Sequence, residues 1–267
     1  MPPAKEILIR SLYNQRRSGI IWAVVLSLLV LMTISVWPSM KESAVLEDFS
    51  SSLPPEVAGA FGMTQMGTAS GYLMGNLYSL LLPLLLCAMA IATTSALTAG
   101  DEETGRLELL LALPVSHRLT YLVRIISVLL ITVVTGTVLA LVVMIGRNPF
   151  ELDVSVGGIA MISMAITLLA VFHAALAYAI AAAGGSHSTT VSVTAAALLV
   201  GYIADSLAPL VEAFEPVQHV SPWQWALGND PLVNGFDTSG VALLVGLSVV
   251  LIAVGTVLIG KRDIRST

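Results

Sequence analysis

The stretch Asp101–Ser116, DEETGRLELLLALPVS, carries five charges in its first eight positions and lies between two long apolar runs. At the centre of a bilayer each Asp, Lys or Arg costs about 2.5–3.5 kcal/mol on insertion scales. Five such groups together (Asp101, Glu102, Glu103, Arg106 and Glu108) cost on the order of 10 kcal/mol or more, so the segment stays in water. The chain around it is 56% hydrophobic and 11% charged, with a mean hydropathy of +0.90. Hydrocarbon offers no partner to a bare N–H or C=O, so only helices and closed barrels cross it. The short alternating segments of a barrel are missing from this sequence, which leaves an all-α membrane protein as the expected fold.

Six spans are expected, at approximately Gly19–Trp37, Tyr72–Ala99, Leu119–Ile145, Val154–Ala183, Thr189–Val211 and Gly240–Gly260. They form one transmembrane domain over residues 19–260, preceded by an interfacial segment at 1–18 and followed by a tail at 261–267. The first run could imitate a signal peptide, but it is longer than the usual apolar core of one and no small-residue cleavage site follows. Pro83 predicts a kink in the second span. With both chain ends on one side, that side holds Lys5, Arg10, Arg16, Arg17, Arg106, Arg118, Arg124, Lys261, Arg262 and Arg265. The other side holds Lys41 and Arg147. This asymmetry places both termini and the Asp101 loop in the cytoplasm of a cell-membrane protein.

Residues Ala4–Arg17 mix Ile7, Leu8, Ile9, Leu12 and Tyr13 with Lys5, Arg10, Arg16 and Arg17. They read as an amphipathic helix lying in the interface, against a basic tail that only sets topology. Outside, Pro38–Ser70 is acidic and broken by Pro54-Pro55, and it closes on Gly67, Gly71 and Gly75. At that spacing the glycines would share a helix face, either as a packing or dimer seam or simply as a flexible entry to the second span. A second external segment, Glu212–Ser239, holds Trp223 and Trp225, residue types suited to the headgroup level.

Sites for chemistry are sparse. No G-x-x-x-x-G-K-[ST] run occurs, so the chain does not cradle nucleotide phosphates by itself. The four histidines (His117, His173, His187 and His219) lack ligand-like spacing, so no bound metal or other cofactor is expected. Cys87 sits in an apolar run and reads as a small buried side chain. No catalytic constellation emerges, and neither enzyme activity nor a nucleic-acid partner is expected. Asp205 and His173 are polar groups within spans, and an ion-coupled secondary transporter would rest on them.

The Asp101 segment itself reads as a short helix parallel to the membrane. Its acids are placed at the leading end, where a helix dipole favours them. Leu107, Leu110 and Leu111 follow as a ridge, Pro114 ends the element, and Ser116 caps the third span.

The run Asp101-Glu102-Glu103-Thr104-Gly105-Arg106-Leu107-Glu108-Leu109-Leu110-Leu111-Ala112-Leu113-Pro114-Val115-Ser116 resembles the cytoplasmic signature of type-2 ATP-binding-cassette (ABC) exporter permeases. The six-span plan and the stretch Ser221-Pro-Trp…Gly228-Asn-Asp-Pro-Leu-Val-Asn-Gly235 are similar to the same family. His117 stands where members often carry Arg. The resemblance implies a cytoplasmic coupling helix between spans two and three, with Asp101, Glu102, Glu103, Thr104, Gly105, Arg106, Leu107, Glu108, Leu110 and Leu111 as ATPase-coupling residues. It also implies a separate ABC ATPase subunit that binds ATP and magnesium, and a second permease copy or paralogue. The cargo would be an amphiphile such as a drug, a lipid-linked molecule or a peptide, moved out of the cytoplasm.

Overall fold

The computed structural model describes residues 3–41, 67–105, 116–208, 210–211 and 215–262, together with 52, 54 and 57. Six helices are long and apolar enough to cross a membrane, and the described residues include no strand. In chain order the helices are α1 (Pro3–Lys41), α2 (Ala69–Glu103), α3 (His117–Gly146), α4 (Val156–Ala182) and α5 (His187–Leu207). Two short helices, α6 (Glu215–Gln218) and α7 (Pro222–Leu227), precede α8 (Thr238–Ile259). Side-chain oxygens start most of them. Ser116, Ser155, Ser186, Ser221 and Asp237 each accept a backbone N–H in the first turn of the following helix. Each satisfies a donor that has no partner within its helix. The expected cap at Ser116 is thus found.

The most buried of the six is α4, which packs against α2, α3, α5 and α8. Its alanines (Ala165, Ala170, Ala174, Ala175, Ala177, Ala181 and Ala182) are fully covered, because small side chains let neighbouring backbones come close. The approach to α3 is close at Gly136, where an added Cβ would run into the Thr167 hydroxyl. The outer faces of α1, α3, α5 and α8 leave Ile21, Val134, Val200 and Val249 uncovered, as lipid-facing helices do.

Two expectations change here. Residues 4–17 are helical but are not a separate interfacial element, because α1 runs on through them without a break. At 39 residues and 1.5 Å each it is about 58 Å long. Ser11 and Gln15 stand alongside α3, with the Gln15 amide donating to the Ser127 hydroxyl at 2.8 Å and Ser11 Oγ at the same distance from it. Their partner on α3 makes these two polar positions inward-facing, which the local sequence pattern does not show. The second change concerns α2. It contains two wide π-turns, Met74–Tyr78 and Ala96–Gly100, and an interruption at Leu80 (φ −140°, ψ −56°). The interruption lies three residues before Pro83, next to the carbonyl that a proline ring displaces. The glycine seam, however, is not a regular one. Gly67 lies in a turn before the N-cap Thr68, and Gly75 lies in the first π-turn, so Gly67, Gly71 and Gly75 do not line a single α-helical face.

The stretch 215–237 folds back against the bundle. Trp223 is buried, donates its indole N–H to the Leu198 carbonyl at 3.0 Å and packs on Tyr202 with ring centroids 5.0 Å apart. Trp225 donates to the His219 carbonyl at 2.8 Å. Buried as it is, the Trp223 indole N–H needs its acceptor inside the protein, whereas the Trp225 bond stays at the exposed surface of its own segment.

Candidate functional site

At the end of α2 the three acids Asp101, Glu102 and Glu103 form the last helical residues. Thr104 follows, and Gly105 takes φ +69°, the left-handed conformation that closes helices and that glycine adopts without strain. The acids therefore end a helix instead of beginning one, which reverses the expected dipole argument. A carboxylate at a helix C-terminus meets the negative end of the dipole, so it needs positive partners from elsewhere in the fold.

Each acid has such a partner, and each partner belongs to a different element. Asp101 pairs with Arg124 of α3 at 2.9 Å, with side chains only 15% and 6% exposed. The same guanidinium donates to the Leu97 carbonyl at 2.5 Å, within the wide π-turn. Glu102 accepts from the Tyr121 hydroxyl at 2.7 Å on one oxygen and from Arg262, beyond the end of α8, at 2.8 Å on the other. Glu103 accepts the backbone N–H of His187 at 2.8 Å. That N–H is in the first turn of α5, where the dipole is positive. His187 also holds Ser95, its ring Nδ1 lying 2.8 Å from the hydroxyl.

Arg262 extends the network further. It donates to the carbonyls of Ala181 and Ala182, at the end of α4, at 3.2 and 3.4 Å. These are among the last carbonyls of a helix, which lack an intrahelical partner, and a cation satisfies them well. Gly260 gives passage to a second cation, since an added Cβ there would overlap the Arg118 guanidinium. Tyr121 lies 6.2 Å from Tyr178 of α4, centroid to centroid, and Tyr178 Oη is 2.9 Å from Thr256 Oγ1 of α8. The ends of α2, α3, α4, α5 and α8 thus meet around three consecutive carboxylates.

Of the expected coupling residues, Asp101, Glu102, Glu103, Thr104 and Gly105 lie at this junction. Arg106, Leu107, Glu108, Leu110 and Leu111 fall outside the described residues, as does the short helix expected there. The sequence reading missed Tyr121, Arg124, His187 and Arg262 as partners. A signal for Arg124 existed, since an arginine at the sixth position of the apolar run from Leu119 must find a counter-charge. Tyr121, three residues earlier, shares its helix face.

The polar groups invoked for ion coupling sit apart. His173 is buried, with Nδ1 2.8 Å from the Leu169 carbonyl and 3.8 Å from Cys87 Sγ, and Phe172 meets its ring edge-on. Asp205 lies in the last turn of α5, with one carboxylate oxygen buried and without a hydrogen-bond partner. No contact joins His173 to Asp205 among the described residues, and no cluster of three or more metal-ligating side chains occurs among them. Cys87 is a free, buried thiol, as its apolar surroundings imply.

Residues 6–264 match the family described as ABC-2 family transporter protein. No curated protein matches the chain.

Proposed function

Given that this chain belongs to the ABC-2 family of transporter proteins, a multi-pass membrane permease subunit of an ABC transporter, we propose that it works as the membrane half of an ATP-driven exporter. A separate ABC ATPase binds ATP and magnesium and docks on the segment from Asp101 to Leu111. Nucleotide-driven closure of two ATPases moves this segment, and two permease chains, identical or related, re-pack around the cargo. The cargo is an amphiphile moved out of the cytoplasm. Both chain ends and the Asp101 segment face the cytoplasm, consistent with the positive-inside rule.

The observation that carries this reading is the junction at Asp101–Glu103. A push on the loop that follows α2 reaches α3 through Arg124, α5 through His187 and the end of α8 through Arg262. The cations are distributed accordingly. Arg118, Arg124, Lys261 and Arg262 cluster at this end, whereas Lys41 and Arg147 are at the other. The ion-coupled alternative has no comparable arrangement, because Asp205 and His173 are not joined.

The test is co-purification from the native membrane, followed by efflux of a fluorescent amphiphile from energised vesicles. An ATPase should accompany the wild-type chain, and Leu110→Asp with Leu111→Asp should abolish both the association and ATP-dependent efflux. An unaltered ATPase association in that variant, or efflux that persists without ATP under a clamped ion gradient, would refute the proposal.

A further inference from the structure

Two ion pairs one residue apart on α2 differ sharply in their surroundings. The Asp101–Arg124 pair is almost fully covered, with the arginine side chain only 6% exposed, and a covered pair is costly to separate because each charge is left without solvent. The Glu102–Arg262 pair lies at the water edge, with side chains 21% and 29% exposed, where a broken pair is resolvated and little is lost. The helix that carries both is softened just before them by the π-turn Ala96–Gly100, a geometry that recurs where helices must change shape. Arg262 has alternative acceptors within reach, since its guanidinium also contacts the Ala181 and Ala182 carbonyls.

From this contrast we infer that Asp101–Arg124 is a fixed pivot and that Glu102–Arg262 is a latch which opens and closes as the loop after α2 moves. The inference rests on the proposed docking of an ATPase to that loop. With the latch closed, the end of α8 is tied to α2 and, through the α4 carbonyls, to the centre of the bundle. With it open, Arg262 stays on the α4 carbonyls while Glu102 retains only Tyr121, so α2 and α3 move as one body past α4 and α8. Arg262 is a positioning residue in this scheme, since it acts on the helices and touches no cargo.

The experiment uses the full chain with its ATPase in nanodiscs, with spin labels on cysteines introduced at Ile126 of α3 and at Lys261, both exposed and outside the docking segment. The distance is read without nucleotide and after trapping with ATP, magnesium and vanadate. In the wild type, trapping should lengthen it. Arg262→Gln should show the longer distance already without nucleotide and should lose the nucleotide-dependent shift, while the ATPase still co-purifies. Arg262→Lys keeps the charge and should restore the shift, which separates a latch from a general loss of folding. Equal distances in both nucleotide states of the wild-type complex, or an Arg262→Gln complex that behaves as wild type, would overturn the latch alone. Absence of any ATPase from the wild-type preparation would instead overturn the docking reading, and the latch with it.

Discussion

The Asp101 junction and the α7 segment at the opposite end of the bundle are held by opposite means. At the Asp101 end, helices meet through charge: two arginines, three carboxylates and the positive end of α5. At the other end the α7 hairpin locks onto α5 with neutral groups, the Trp223 indole on the Leu198 carbonyl and the Ser221 hydroxyl on the Gly201 carbonyl at 2.9 Å. Packed indoles and backbone carbonyls favour one arrangement, because displacement loses contact area and leaves a buried donor unpaired. Ion pairs near water can exchange partners at small cost. The difference teaches which contact can switch: the charged junction is built for rearrangement around a buried pivot, and the neutral α7 contact for staying as it is.

The strongest way to break the contrast is Arg124→Ala, which leaves Asp101 covered without its cation. The loss should be about 3–5 kcal/mol, the range for removing one partner of a buried pair. Thermal unfolding in detergent measures it, and adding Asp101→Ala should recover part of the loss, because the second charge is then gone as well. At the neutral end, Trp223→Ala should cost about 3 kcal/mol through the cavity it opens. Trp223→Phe keeps most of the ring and removes the N–H, so it should cost about 1 kcal/mol. Salt sharpens the comparison, since screening weakens the wet Glu102–Arg262 pair and leaves the Trp223 contacts unchanged. Equal salt sensitivity of the Arg262→Gln and Trp223→Phe effects would break it.

The smallest effect concerns pH at the start of α8. Hydrogen bonds from the Ser239 hydroxyl and backbone N–H, with a further one from Gly240, hold the Asp237 carboxyl below the usual carboxylate range. A carboxyl depressed in the folded state contributes stability above its unfolded pKa and loses it as pH falls through the folded value. Amide exchange in the first turn of α8 should therefore quicken only on strong acidification, below the ordinary carboxylate range. Asp237→Ala should remove that dependence. A first turn whose exchange follows the same acid profile in both proteins would show that the cap plays no part.

Much of the fold was legible because the bilayer imposes a length and an apolar composition on each span. Tyr72–Ala99 and Val154–Ala183 fall within a few residues of α2 and α4, and serine caps mark where several helices begin. The errors share one cause. The carboxylates of Asp101–Glu103 were assigned to water, yet each has its partner on a distant segment, and Ser11, Gln15 and Trp223 find theirs in the same way. A polar side chain in an apolar chain has two ways to be satisfied, and sequence spacing does not distinguish solvent from a neighbour more than a hundred residues away, as Ser127 is from Ser11.

By itself, then, the sequence determined that this protein is a bundle of membrane-crossing helices with a charged segment between the second and third. Hydrophobic length and the cost of burying charge are local properties of the chain, readable one segment at a time. Only the tertiary structure decided that Asp101, Glu102 and Glu103 end a helix and turn inward to Arg124, Tyr121, Arg262 and His187. Charge pairing depends on which helix ends are brought together, and that follows from how Ala-rich α4 lets its neighbours close around it.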